Sequence, residues 1–318
     1  MTEDIRATIS SLEKLQLDGF IFRGHENFKY VLQPSAFRTQ SINKMKSNFE
    51  IPSQVVENWQ NSQVIQNVIQ SWTHRGEHYT HHPTVKNLKS FCFYLMLYNH
   101  ELHRYVNNNP TKVSDKDKKW LLLRDKDFWR SEDTFQHLFS HYLQAIINRT
   151  DLMGNLIQKA QPYEDLAGVD ETLPQHYGIP TAALDWSFNF RVALYFAIAK
   201  GCFQTKYCKI YALKLHETTS PVKLINKSAL IDNIRAVRQE GVFSYFTSPC
   251  SYYLCNNEFP SIDYFNIRYK NKLDDRTFEL QEFLIECTEK NLLYLNDLLK
   301  ESGINKQYLF PDDIEIIA

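Results

Sequence analysis

Residues 188–199, FNFRVALYFAIA, are apolar on nearly every face and are interrupted only by Asn189 and Arg191. A helix with no broad polar face must be covered on all sides, so this segment demands a fold built in layers around it. The residues leading into it narrow the choice further. Gln175, His176 and Tyr177 stand directly before Gly178-Ile179-Pro180. Glycine allows positive φ and proline fixes φ near about −65°, so these side chains are expected on a rigid corner. Asp185-Trp186-Ser187 follows, and Asp185, Ser187 and Asn189 are each able to cap the coming helix. His, Tyr, Asp, Trp and Ser at the mouth of a buried helix suggest a phosphate or carboxylate site, because the first N–H groups of a helix favour anions.

Around this centre the chain changes texture twice. Residues 19–24 (GFIFRG) read as a short strand ending at a glycine turn, with 30–32 continuing extended and 35–38 completing an opening unit, 1–54. Residues 55–165 read as a helical insert. Phe135, Leu138, Phe139, Tyr142, Leu143 and Ile146 keep helical spacing, and 85–106 is a second long helix stopped at Asn107-Asn108-Asn109-Pro110. An exposed apolar face there would serve as a protein–protein interface. Residues 166–318 are mixed. Strands are expected over 209–215, 222–225, 242–247 and 283–287, with helices over 232–239 and 289–301, the latter closed by Gly303. The expected fold is α+β: one domain over 1–318, with a split, mostly antiparallel sheet and an inserted helical subdomain.

Bulk properties exclude several classes. With 43% hydrophobic and 23% charged residues, the chain of 318 residues is globular rather than disordered. A formal charge of −1 supplies no global field for nucleic acid or an anionic membrane. No stretch approaches the roughly 20 apolar residues of a membrane span, and the first residues lack an apolar leader core, so a cytoplasmic address is expected. The six cysteines form no C-x-x-C pair. His74, His78, His81 and His82, like His137 and His141, suit solvated surfaces better than a tetrahedral zinc site, so no metal is expected. P-loop, dinucleotide and G-x-S-x-G signatures are absent.

Four elements carry chemistry, each with a structural alternative. Arg23, beside Gly24, suits a bidentate phosphate grip or a core ion pair. His176 suits proton transfer or a satisfied corner, and Asp185 an orienting role or a helix cap. Trp186 and Tyr195 suit stacking or the core. Glu240, in Arg238-Gln239-Glu240-Gly241, suits a ribose hydroxyl or an oxocarbenium-like centre, or else a solvated strand end. Arg23, His176, Asp185 and either Arg238 or Glu240 are expected to converge on one concave site.

QHYGIPTAALDWS followed by ALYFAIA resembles the signature of the FRG-domain family, named for the tripeptide present here as Phe22-Arg23-Gly24. Residues 238–243 (RQEGVF), Gly303-Ile304 and Leu309-Phe310-Pro311-Asp312 are also similar to that family. The family usually has Arg-Leu where this chain has Ala182-Ala183, so a role of that arginine has no counterpart here. A second resemblance is to ADP-ribosyltransferases, whose split sheet binds NAD with an Arg or His, then Ser/Thr or Tyr, then Glu. The matching positions are Arg23-Gly24, Ser187 or Tyr195, and Glu240. The Ala-Leu-Tyr-Phe-Ala run is similar to the helix-borne tyrosine segment of the polymerase branch of that superfamily. Together the resemblances imply NAD as cofactor and a macromolecular target, in a toxin or antiphage effector. The implied catalytic set is Arg23, His176, Tyr195 and Glu240. Gly24, Gln175, Tyr177, Asp185, Trp186, Ser187, Arg238 and Gln239 would bind the ligand. The alternative is a non-catalytic module that senses a nucleotide or nucleic-acid end. Glu240 discriminates, since only the enzyme needs its carboxylate.

Overall fold

A computed structural model describes residues 4–49, 53–61, 63, 85–109, 180–199, 206–216, 222–225, 234–246, 252–253, 256–264 and 278–311. In chain order these form α1 (Ile5–Leu17), β1 (Ile21–His25), a 3-10 turn (Ser35–Phe37), α2 (Thr39–Ser47), α3 (Ser53–Gln60) and α4 (Val85–Asn108). Then come β2 (Ala183–Ser187), α5 (Phe190–Ile198), β3 (Tyr207–Leu215), β4 (Val222–Leu224), α6 (Ile234–Arg238) and β5 (Gly241–Phe246). The last elements are β6 (Phe278–Glu286), α7 (Glu289–Glu301) and α8 (Lys306–Leu309). The six strands make one mostly antiparallel sheet in the order β4-β5-β2-β1-β3-β6, and the fold is α+β.

The chain divides into two compact units: Met1–Leu32, Leu184–Tyr245 and Ser261–Ala318 form one, and Gln33–Ala183 with Phe246–Pro260 the other. The first holds the sheet. Its β3 and β6 pair over their full lengths, from Tyr207↔Glu286 to Leu215↔Phe278. β1 pairs with β3 from Ile21↔Leu213 to His25↔Lys209. Because side chains alternate along a strand, this register sorts the central strands into two faces. Phe22, Gly24, Cys208, Ile210, Ala212, Phe283 and Ile285 share one face; Ile21, Arg23, His25, Lys209, Tyr211 and Leu213 share the other.

Helix α5 covers the first face, with Phe190, Val192, Ala193, Leu194, Ala197 and Ile198 all buried. Its apolar sequence is explained by what surrounds it: β1 and β3 on one side, α1 and α7 on others. Ile9, Leu12 and Leu15 from α1 and Leu292, Leu295 and Leu299 from α7 complete this core. Gly24 is what lets the layers close. A Cβ at that position would collide with the carbonyl oxygen of Ala193 and lie 2.8 Å from Ala197 N.

Asn189, of the three cap candidates, caps α5: its side-chain oxygen accepts from Arg191 N. Asp185 and Ser187 lie in β2 instead, since pairing along the sheet overrides their turn-forming character. Residues 30–32 are not a strand, and β6 begins earlier than expected, at Phe278. Helix α1 is additional; Asp4 caps it through Arg6 N. At the other end of the unit Thr288 caps α7, and Gly303 leaves it at φ 69°.

In the second unit, the described part of the expected helical insert is helical, as α3 and α4. Phe259 stacks flat on Phe37 at 4.5 Å, and the rings of Tyr94 and Tyr253 lie at the same distance from it. The Tyr94 hydroxyl donates to Ala36 O at 3.1 Å, tying α4 to the 3-10 turn. Arg104 and Asn48 both donate to Glu101. Arg104 holds the Glu101 carboxyl below its ordinary range against the opposing effect of burial. The face built on Phe135, Leu138 and Tyr142 lies outside the described residues.

Candidate functional site

Arg23 leaves β1 on the sheet face opposite α5, because its neighbours Phe22 and Gly24 both face that helix. Its guanidinium is fixed from two directions. Nη1 donates to the Asp185 main-chain oxygen at 2.6 Å and makes an ion pair with the Asp185 carboxylate at 2.6 Å. Nε donates to Nε2 of His25, two residues along the same strand, at 2.9 Å. The Arg23 side chain is 14% exposed, while that of Asp185 is 50% exposed. Desolvation of the Asp185 head group works to raise its pKa. The charge and hydrogen bond of Arg23, helped by a backbone N–H, outweigh it and hold the carboxyl below the usual range.

The Arg23–His25 contact determines the protonation of the imidazole. Arginine Nε only donates, so Nε2 of His25 accepts and carries no proton. Nδ1 therefore bears the hydrogen and donates to Tyr30 O at 3.3 Å. Tyr211, opposite Arg23 in the register, packs edge-on against the His25 ring at 5.2 Å and donates its hydroxyl to the same carbonyl at 3.2 Å. Lys209 donates to Tyr211 Oη at 3.3 Å and pairs with Glu282 at 2.7 Å. Desolvation works to lower the Lys209 pKa, but Glu282 and Tyr211 together raise it; burial raises that of Tyr211. The outcome is a continuous polar seam across four strands, Asp185–Arg23–His25–Tyr211–Lys209–Glu282.

The FRG-domain family model matches residues 70–205. The chain carries an FRG domain. No curated protein and no solved structure matches it. The matched range contains Asp185, Trp186, Ser187 and Tyr195, while Arg23 precedes it and Arg238, Gln239 and Glu240 follow it. The seam therefore joins Asp185, inside the FRG match, to three strands outside it.

Of the residues singled out from the sequence, Arg23 and Asp185 come together. Gln175, His176 and Tyr177 lie outside the described residues. Trp186 is buried, its indole N–H donating to Ser244 Oγ at 2.8 Å, so β2 and β5 are pinned through the core. Ser187 donates to Gln239 O at 2.7 Å and accepts from Asn189 N at 2.9 Å. Glu240 sits in the turn before β5 with φ 45°. Its main-chain oxygen accepts from Phe188 N, and its exposed carboxylate accepts from the Asn189 amide at 2.8 Å. Ser187, Phe188, Asn189, Gln239 and Glu240 thus knot the start of α5 to the start of β5. Arg238 lies over the Tyr308 ring at 5.3 Å, and Gln239 donates to Leu309 O. None of Arg238, Gln239 and Glu240 touches Arg23. Tyr195 packs edge-on against Phe196 at the rim of the core, and burial raises its pKa. Gly24 faces α5, where its lack of a Cβ has a packing reason. Of the Ala182-Ala183 pair, Ala183 opens β2 and is buried.

His25 is the site residue that the sequence reading lacks. The signal was present in Phe-Arg-Gly-His, since residues two apart on a strand share a face. Among the described residues no group of three His, Cys, Asp or Glu gathers around a metal position, and no described helix is long and apolar enough to cross a membrane.

Proposed function

We propose that this FRG domain is an NAD-using, ADP-ribosyltransferase-like module in which Arg23 grips the pyrophosphate. The observation that carries the reading is the strand order. β5, β2 and β1 are neighbours, so Glu240 in the turn entering β5, Ser187 on β2 and Arg23 on β1 come from adjacent parts of one sheet despite their separation in sequence, with Ser187 paired to Phe22 on the face opposite Arg23. Arg23 suits its role because His25 and Asp185 fix its guanidinium before any ligand arrives, which lowers the ordering cost of binding. In the reaction, the bond from ribose C1′ to the nicotinamide nitrogen breaks and the electron pair leaves with neutral nicotinamide. Glu240 would stabilise the cationic ribosyl centre until a nucleophile of the macromolecular target attacks it. A toxin or antiphage effector role belongs to the same proposal.

A second reading, a nucleotide or nucleic-acid sensor without chemistry, is favoured by a specific feature. The Glu240 carboxylate and the Ser187 hydroxyl are already engaged in capping contacts. The two are separated by incubating the purified chain with NAD and a cell extract while following nicotinamide release. Glu240→Gln keeps shape and hydrogen bonding but deletes the charge. For the enzyme it should leave NAD binding intact and lower turnover at least about a hundredfold. Binding without release in the unmodified chain would favour the sensor.

A further inference from the structure

We infer that His25 is a positioning residue for ligand binding: its unprotonated ring holds the Arg23 guanidinium by Nε, and protonating that ring releases it. The inference rests on the reading of Arg23 as the anion grip. The geometry admits no other hydrogen bond at this contact, since a protonated Nε2 would set N–H against N–H at 2.9 Å. Cations flank the ring. His25 is buried, Arg23 lies beside it on β1, and Lys209 is its register partner on β3. Tyr30 and Tyr211 present rings and a carbonyl that are uncharged. The nearby carboxylate, Asp185 on β2, is already committed to Arg23, and Glu282 on β6 to Lys209. Asp263 stands behind, accepting from Leu32 N.

This makes an unusual demand on pH dependence. A histidine that merely added charge to a phosphate site would tighten anion binding on acidification. A histidine that must accept from the gripping arginine does the reverse. Ligand affinity should therefore fall as the ring protonates, although the net charge near the site becomes more positive.

The test uses the full chain, with NAD as the probe because its diphosphate stays fully ionised, from about pH 8 to about pH 5.5. Affinity should weaken about tenfold across that range, the size of one charge-assisted hydrogen bond. His25→Gln can place an amide oxygen where Nε2 stood and does not titrate, so it should retain affinity at the upper pH and lose the pH dependence. Affinity that rises or stays level on acidification overturns the inference, as does an unchanged pH profile in a folded His25→Gln. Nitrogen NMR of the unmodified protein decides the matter without a variant or a ligand. The Arg23 Nε–H signal should be protected at the upper pH and lost as His25 protonates; a signal indifferent to that titration overturns the positioning role. If NAD does not bind while the NMR coupling holds, the anion-grip reading fails and the His25–Arg23 switch stands.

Discussion

The guanidinium of Arg23 grips Asp185 twice, at the carboxylate and at the main-chain oxygen, each at 2.6 Å. One contact compensates charge, and the other ties the guanidinium to the backbone of β2. Substituting Asp185→Asn removes only the first. Half the Asp185 side chain is exposed, so solvent screening limits the loss of stability to about 1 kcal/mol. The cost should appear as a small drop in Tm, while NAD affinity falls further than stability does.

The same pair sets a pH dependence whose sign follows from the lowered carboxyl pKa of Asp185. A depressed folded-state pKa contributes stability that is present above the unfolded value of about 3.9 and lost as pH falls through the folded value. Wild-type stability should therefore decline over that acidic window, and Asp185→Asn should decline less. Equal acid sensitivity in the two proteins would remove Asp185 from the explanation.

Gly24→Ala tests the packing of the sheet against α5. The added Cβ would meet backbone atoms of Ala193 and Ala197, which cannot swing aside as a side chain would. Overpacking of this kind costs on the order of 3 kcal/mol or more. A chemical denaturation midpoint near that of wild type would show that α5 can shift to admit the added methyl group.

Asn189→Ala removes the α5 cap and the Glu240 partner together. The cap alone contributes about 1 kcal/mol. If Glu240 has a separate chemical role, nicotinamide release should change by more than the stability loss explains. A parallel drop in both would assign Glu240 to capping.

Much of this was legible in the sequence for reasons that can be stated. Residues 190–198 have no polar stripe wide enough for a surface, so their burial followed from composition alone. Leu292, Leu295 and Leu299 keep helical spacing and end at a glycine, and α7 forms there. Asp185-Trp186-Ser187 was harder. Asp and Ser favour caps and turns, and only pairing with neighbouring strands makes that tripeptide part of β2. His25 shares a strand face with Arg23 by spacing alone, but its contacts were not legible. Its partner atoms are a guanidinium two residues back and a carbonyl five residues on, and neither points at it until β1 is formed and Tyr30 turns back. Helix α1 was missed because its buried face is narrow and its remaining surface polar, which reads as a solvated segment.

The most direct test is calorimetric titration of NAD into the full chain and into Arg23→Ala, with Tm measured on both. Removal of a charge-assisted grip on phosphate should weaken binding about tenfold or more in a protein that remains folded. Equal NAD affinity in the folded variant would contradict the assignment of Arg23 as the nucleotide-binding residue.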